Sequence, residues 1–269
     1  MSVVRYDDLF TSVLTDKFDA ADESIDRRKI VICTTPRTGG HACCQQFRAF
    51  GLGVPTEYFQ IQYAAPLLRR WSNSPDLERD ELPQHAREYG AQLLNNRSRN
   101  GIFAAKIFYE NLPFMRDALG ADDDSWFYVR LTRRDKIAQT ISLLSMISTG
   151  RAFDSDDQIQ ELVTIDNIGP RSVQSAVRYL HQGELAWSST LASIPQERKS
   201  KILLEDFAED PEKAVQLAVA SWIGEFPLAQ TVPLKLERYS SDSDLKQQIK
   251  VKYSDEIARI WQSLPETEF

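Results

Sequence analysis

Arg37 stands in the run of this chain best suited to chemistry, Thr34-Thr35-Pro36-Arg37-Thr38-Gly39-Gly40-His41. Apolar β-formers from Ile30 to Cys33 precede it and predict a buried strand. Pro36 to Gly40 predicts a tight turn. A helical pattern resumes from Ala42 to Phe50. Strand, glycine-containing turn and helix together make an anion-binding nest, because amide N–H groups at a helix start point outward. Pro36, Arg37, Thr38, Gly39, Gly40 and His41 are therefore candidate phosphate-binding residues, with Arg37 as the cation. The segment is not a Walker A loop, which needs Gly-Lys-Ser/Thr for phosphates and magnesium. It is expected to hold a nucleotide without an obligatory metal.

The elements that must position this turn follow from periodicity. Further strands are predicted at Ile102–Ile107, Phe127–Leu131 and Lys201–Leu204, separated by helical patterns. That alternation predicts an α/β, P-loop-like three-layer fold, a central parallel sheet flanked by helices. Asp210, Pro211 and Glu212 read as a helix start, with the helix running to about Trp222. Helices are also expected over Arg171–Ser193 and Ser243–Leu264, and Gly224–Tyr239 reads as extended. Tyr6–Phe18 places Leu9, Phe10, Val13, Leu14 and Phe18 on one helical face. Residues 1–28 are therefore taken as an N-terminal helical extension and 29–269 as the main domain. Ala64–Asn100, with Pro66, Pro75 and Pro83, is less regular and reads as an excursion on the acceptor side; Trp71 and His85 within it are assigned structural roles.

Three separated motifs, taken in order, resemble the bacterial carbohydrate sulfotransferases typified by trehalose sulfotransferase. These are the turn at Arg37-Thr38-Gly39, the segment Pro55-Thr56-Glu57-Tyr58-Phe59, and the run Arg133-Arg134-Asp135 with Gln139 and Ser142. The resemblance spans roughly Ile30 to Tyr253. It implies 3′-phosphoadenosine-5′-phosphosulfate (PAPS) as co-substrate, no metal, and sulfuryl transfer to a hydroxyl of a carbohydrate or glycolipid. Under it Glu57 is the general base and Arg37 stabilises the departing phosphate. Arg133 and Ser142 grip the 3′-phosphate, and Arg238 reaches the donor late in the chain. Lys106, in a segment with Tyr109, organises the acceptor side. Two features depart from the family: Gly40-His41 replaces Ser-Thr, and Arg134 replaces a proline. His41 is expected to donate to the phosphate in their stead, best when protonated. A homodimer is implied by the resemblance alone.

Composition bounds the alternatives. The 269 residues carry a net charge of −7, which argues against nucleic acid as the main partner. An anionic donor then needs a local basic pocket, for which Arg37, Arg133 and Arg134 are available. Cys33, Cys43 and Cys44 have no metal-ligand spacing and read as core residues of a reduced compartment. No leader pattern or membrane-length apolar run is evident, so a cytoplasmic, not membrane-spanning protein is expected. A nucleotide-dependent kinase with a degenerate P-loop and a non-catalytic nucleotide-binding protein remain as other readings.

Overall fold

The computed structural model describes residues 13–19, 28–72, 80–120, 125–149, 164–223 and 244–266. Among the described residues four strands form a parallel sheet: β1 (Arg28–Thr34), β2 (Ile102–Phe108), β3 (Trp126–Thr132) and β4 (Lys199–Leu203), in the order β2-β1-β3-β4. Ile30 pairs with Ala104 on one side and with Phe127 on the other. β1, β2 and β3 are almost wholly buried, as a parallel sheet covered on both faces requires. Among the described residues β4 is an edge, where Lys201 is exposed and Lys199 donates its Nζ to the Leu191 carbonyl at 2.7 Å.

Side chains alternate between two cores. Val31, Cys33, Phe103, Ala105 and Tyr128 enter one core, against α2 (Ile61–Ser72), α3 (Ala86–Arg97) and α4 (Leu112–Leu119). Ile30, Ile32, Ala104, Phe127 and Val129 enter the other, against α1 (Gly40–Ala49) and α8 (Pro211–Ile223). A third core joins α5 (Lys136–Thr149), α6 (Pro170–Ala192) and α9 (Asp244–Gln262) beside the sheet. The short α7 (Leu204–Glu209) follows β4. Asp210 caps α8 by accepting the Lys213 N–H at 3.0 Å, as its sequence position predicts.

The supposedly irregular stretch 64–100 is largely helical among its described residues. Pro66 sits inside α2, where it forfeits a backbone hydrogen bond but does not break a helix whose apolar face is buried. Pro83 opens a 3₁₀ turn, Leu82–His85, that feeds α3. Trp71 donates to Asp19 at 3.3 Å, and His85 lies 3.0 Å from Glu88. The fourth strand starts two residues earlier than its apolar run. In the N-terminal extension, Val13 and Phe18 are buried and the chain turns in a 3₁₀ segment, Asp16–Phe18. Fully buried Arg97 holds it there, donating to the carbonyls of Val13 at 2.7 Å and Thr15 at 3.1 Å. Leu9, Phe10 and Gly224–Tyr239 lie outside the described residues, as does Arg238.

Candidate active site

The turn after β1 is bent by two left-handed residues, Arg37 at φ +66° and Gly39 at φ +76°. Such a conformation is natural for glycine and costs a residue that carries a Cβ, such as arginine, about 1–3 kcal/mol, so it persists only where the surroundings impose it. A Cβ at Gly39 would also lie 2.4 Å from Leu204 Cδ1. α1 then begins at Gly40, and its first-turn amides are the ones a helix cannot satisfy internally. Thr38 is buried, and its hydroxyl bonds to Thr34 Oγ1 and donates to the Thr35 carbonyl at 3.1 Å. Its side chain therefore braces the turn from inside, leaving the backbone to face a ligand.

Glu57 is buried at the base of the same cleft. The loop carrying it runs alongside β2, with Lys106 N–H donating to the Thr56 carbonyl at 2.9 Å. Tyr58 donates its hydroxyl to the Val54 carbonyl, and Tyr89 donates to the Tyr58 carbonyl at 2.7 Å. Phe59 packs edge-on against Tyr89 and Phe114. This aromatic support fixes the carboxylate. Its Oε1 forms an ion pair with Lys106 Nζ and lies 3.5 Å from His41 Nε2, while Oε2 accepts from Gln60 Nε2 at 2.7 Å. Lys106 reaches Glu57 because residue 40 is glycine: a Cβ there would stand 2.7 Å from Lys106 Cδ and 3.2 Å from Nζ. The Gly40 departure and the Lys106–Glu57 pair are one arrangement. Burial, and then the charges of Lys106 and Arg37, hold the His41 pKa well below the usual imidazole value. A ring held this way favours its neutral form, which donates from one nitrogen only.

Across the turn, Arg37 Nε donates to Ser142 Oγ of α5 at 2.8 Å. These two residues, assigned by resemblance to opposite ends of the donor, are in contact here. Gln139 is fully buried and braces the turn, donating to Thr35 Oγ1 at 3.0 Å and to the Pro36 carbonyl at 2.7 Å. Asp135 caps α5 by accepting the Ala138 N–H at 2.8 Å. Glu205 receives the backbone amides of Arg134 and Asp135 at 3.0 Å and fixes the loop from which Arg133 lines the cleft. Arg134 turns away and pairs with Asp206 at 3.6 Å, both well exposed.

Beneath the turn lies a buried charged cluster that sequence reasoning did not find. Glu184 of α6 accepts from Thr35 Oγ1 at 2.8 Å, pairs with Arg130 at 2.7 Å and pairs with Lys136 at 3.0 Å. Arg130 also donates to the Cys33 and Leu131 carbonyls, both at 3.0 Å. A signal was present: Glu184 interrupts the stripe Val177, Leu180, Trp187, Leu191, and Arg130 interrupts an otherwise uncharged strand. A charge on a buried face needs a partner.

The turn and the Glu57 loop border one cleft of about 1860 Å³ above the carboxyl ends of β1, β2 and β3, the usual ligand position in open α/β sheets. The structure gathers Pro36, Arg37, Thr38, Gly39, Gly40, His41, Glu57, Arg133 and Ser142 around it. Lys246 and Lys250 of α9, not anticipated from sequence, add charge to its far wall.

A search of curated proteins finds no match to this chain. Among solved structures, it is similar to the sulfotransferase domain from the curacin biosynthetic pathway, at 12% identity and TM-score 0.49. That similarity covers 90% of this chain and 100% of the other. It is also similar to the sulfotransferase domain from the Synechococcus PCC 7002 olefin synthase, at 13% identity and TM-score 0.46, covering 94% of each chain. The model of the Stf0 sulphotransferase family matches residues 29–249, the span that holds both the turn and the Glu57 cluster. By that match the chain belongs to the Stf0 sulphotransferase family.

Proposed function

We propose that this protein transfers a sulfuryl group from PAPS to a hydroxyl of a carbohydrate or glycolipid, with Glu57 as general base. The observation that carries this reading is a buried carboxylate, held by Lys106 and Gln60, in the same cleft as the amide-rich turn that carries Arg37. The turn suits a phosphate: Gly39 and Gly40 leave the backbone bare, and Arg37 and Arg133 supply cations. Ser142 and Arg133 would bind the 3′-phosphate. His41 contributes as a neutral ring beside the base.

In the reaction, Glu57 takes the proton of the acceptor hydroxyl as its oxygen attacks sulfur in line. A new S–O bond forms, and the S–O bond to the 5′-phosphate breaks. Charge then develops on the departing phosphate oxygen. Arg37 and the first amides of α1 stabilise it, an effect worth a few kcal/mol of barrier, about 3–4 for a single well-placed donor. Lys106 lies between the base and Gly40, where it serves both as counter-charge to Glu57 and as a cation beside the transferred group.

Calorimetric titration with 3′-phosphoadenosine-5′-phosphate (PAP) in EDTA, against ADP, tests the donor. Preference for PAP supports the reading, and binding of ADP only with magnesium would turn it toward a kinase. Glu57→Gln tests the base. Turnover should fall by about 10²–10⁴ while PAP affinity is kept; undiminished turnover would remove Glu57 from the chemistry. The described residues contain no helix long and apolar enough to cross a membrane.

A further inference from the structure

The cleft is divided in charge and in polarity. Because the sheet order is β2-β1-β3-β4, the turn after β1 stands between two walls. On the β3 side, Arg133, Lys246 and Lys250 face Asp135 alone among acidic lining residues. On the β2 side, Glu57, Glu110 and Asp117 line the cleft, and among the described lining residues there the cation is Lys106, already paired with Glu57. Glu110 is held in place by the Tyr179 hydroxyl, which donates to it at 2.8 Å.

The same wall is apolar close to the base. Ile61, four residues after Glu57 and first in α2, is 46% exposed. Pro83 is exposed, and Phe108 and Phe114 are half-buried. Phe114 is backed by Phe59, with ring centroids 6.0 Å apart, and Lys106 Nζ lies 5.3 Å from the Phe108 ring. Apolar surface of this kind inside a cleft, beside a buried carboxylate, marks a ligand contact rather than a scattered surface residue.

We infer that the acceptor is an uncharged amphiphile. Its hydroxyl-bearing head reaches Glu57, and an alkyl or aryl tail lies along Ile61, Pro83, Phe108 and Phe114. The inference rests on the sulfotransferase reading and narrows its acceptor. Each methylene of tail removed from water is worth about fourfold in affinity. Glu110 and Asp117 reject an anionic head by repulsion, a form of discrimination that needs no added contact.

The test titrates PAP-saturated protein with octyl β-glucoside, methyl β-glucoside and the anionic octyl β-glucuronide, all below micelle-forming concentrations. Octyl glucoside should bind at least tenfold tighter than methyl glucoside, and at least tenfold tighter than the glucuronide. Ile61→Ser, at an exposed position that folding does not depend on, should cut the octyl-over-methyl advantage threefold or more and leave PAP affinity unchanged. Equal affinity for the two glucosides, or no binding of either, overturns the apolar tail. Preference for the glucuronide overturns the charge argument. Failure of PAP to bind in the first step defeats the sulfotransferase reading instead, and the glucoside titrations on the nucleotide-free protein then still decide the tail.

Discussion

Replacing Glu184 by glutamine keeps the shape of the α6 side chain and removes the charge that balances Arg130. Arg130 is 1% exposed and 2.7 Å from that carboxylate, so it has no route to water. Lys136, whose side chain is 22% exposed, can turn outward and contributes less. Breaking a buried ion pair from one side costs about 3–5 kcal/mol. That is roughly a third of the stability of an ordinary protein. With a urea dependence of about 3 kcal/mol per molar, the unfolding midpoint should fall by about 1–1.7 M.

The pH dependence supplies a second readout on the same pair. Burial raises the Glu184 pKa, but Arg130, then Lys136 and the Thr35 hydrogen bond, outweigh it and hold the carboxyl below its usual value of 4.5. A depressed folded pKa means stability that is complete above the unfolded value and lost as pH falls through the folded one. The gap between wild type and Glu184→Gln should therefore be widest near pH 7 and close as the pH drops below about 4. A midpoint change under about 0.3 M urea, or a gap that stays constant to pH 3, would refute the pairing argument.

Gly39→Ala should destabilise the protein by about 1–3 kcal/mol and weaken PAP binding, because the new methyl meets Leu204 and the backbone must leave its left-handed turn; thermal unfolding and calorimetry read the two effects. Gly40→Ser adds the hydroxyl that the resemblance places here yet should lower turnover by tenfold or more, since its Cβ collides with Lys106 and displaces it from Glu57; equal or faster turnover in a steady-state assay would show that the two positions are independent. Cys33, Cys43 and Cys44 are buried thiols with pKa values pushed up by burial, that of Cys44 to about 12. Iodoacetamide at pH 8 should leave them unmodified in the native protein and alkylate all three in urea, as intact mass will report.

Much of the fold was legible locally. Ile30–Cys33 is an apolar run and Phe127–Leu131 one broken by Arg130, both rich in β-formers as strands of a sheet buried on both faces are, and Asp210-Pro211-Glu212 carries its own start signal. The turn at Arg37 was equally legible, because proline fixes φ and glycine adopts left-handed turn conformations at little cost wherever they occur. The stretch 64–100 was misread because proline weighs heavily in local reasoning, whereas α2 is held by burial of Leu67 and Leu68 in a core whose other members, such as Phe103 and Met115, lie outside any local window.

What the sequence by itself determined is the class of the molecule: a parallel α/β sheet whose first strand runs through a glycine-containing turn into a helix. Only the tertiary structure decided which charges meet. Lys106 and Glu57 come together because a loop runs along β2, with Gly40 making room from a third segment. Arg130 and Glu184 meet because α6 crosses beneath the turn. The same assembly turned the Thr38 hydroxyl inward and, by burial, lowered the His41 pKa. Secondary structure is encoded in neighbours along the chain, whereas desolvation and pairing depend on groups far apart in sequence, and those are what give a carboxylate or an imidazole its chemistry.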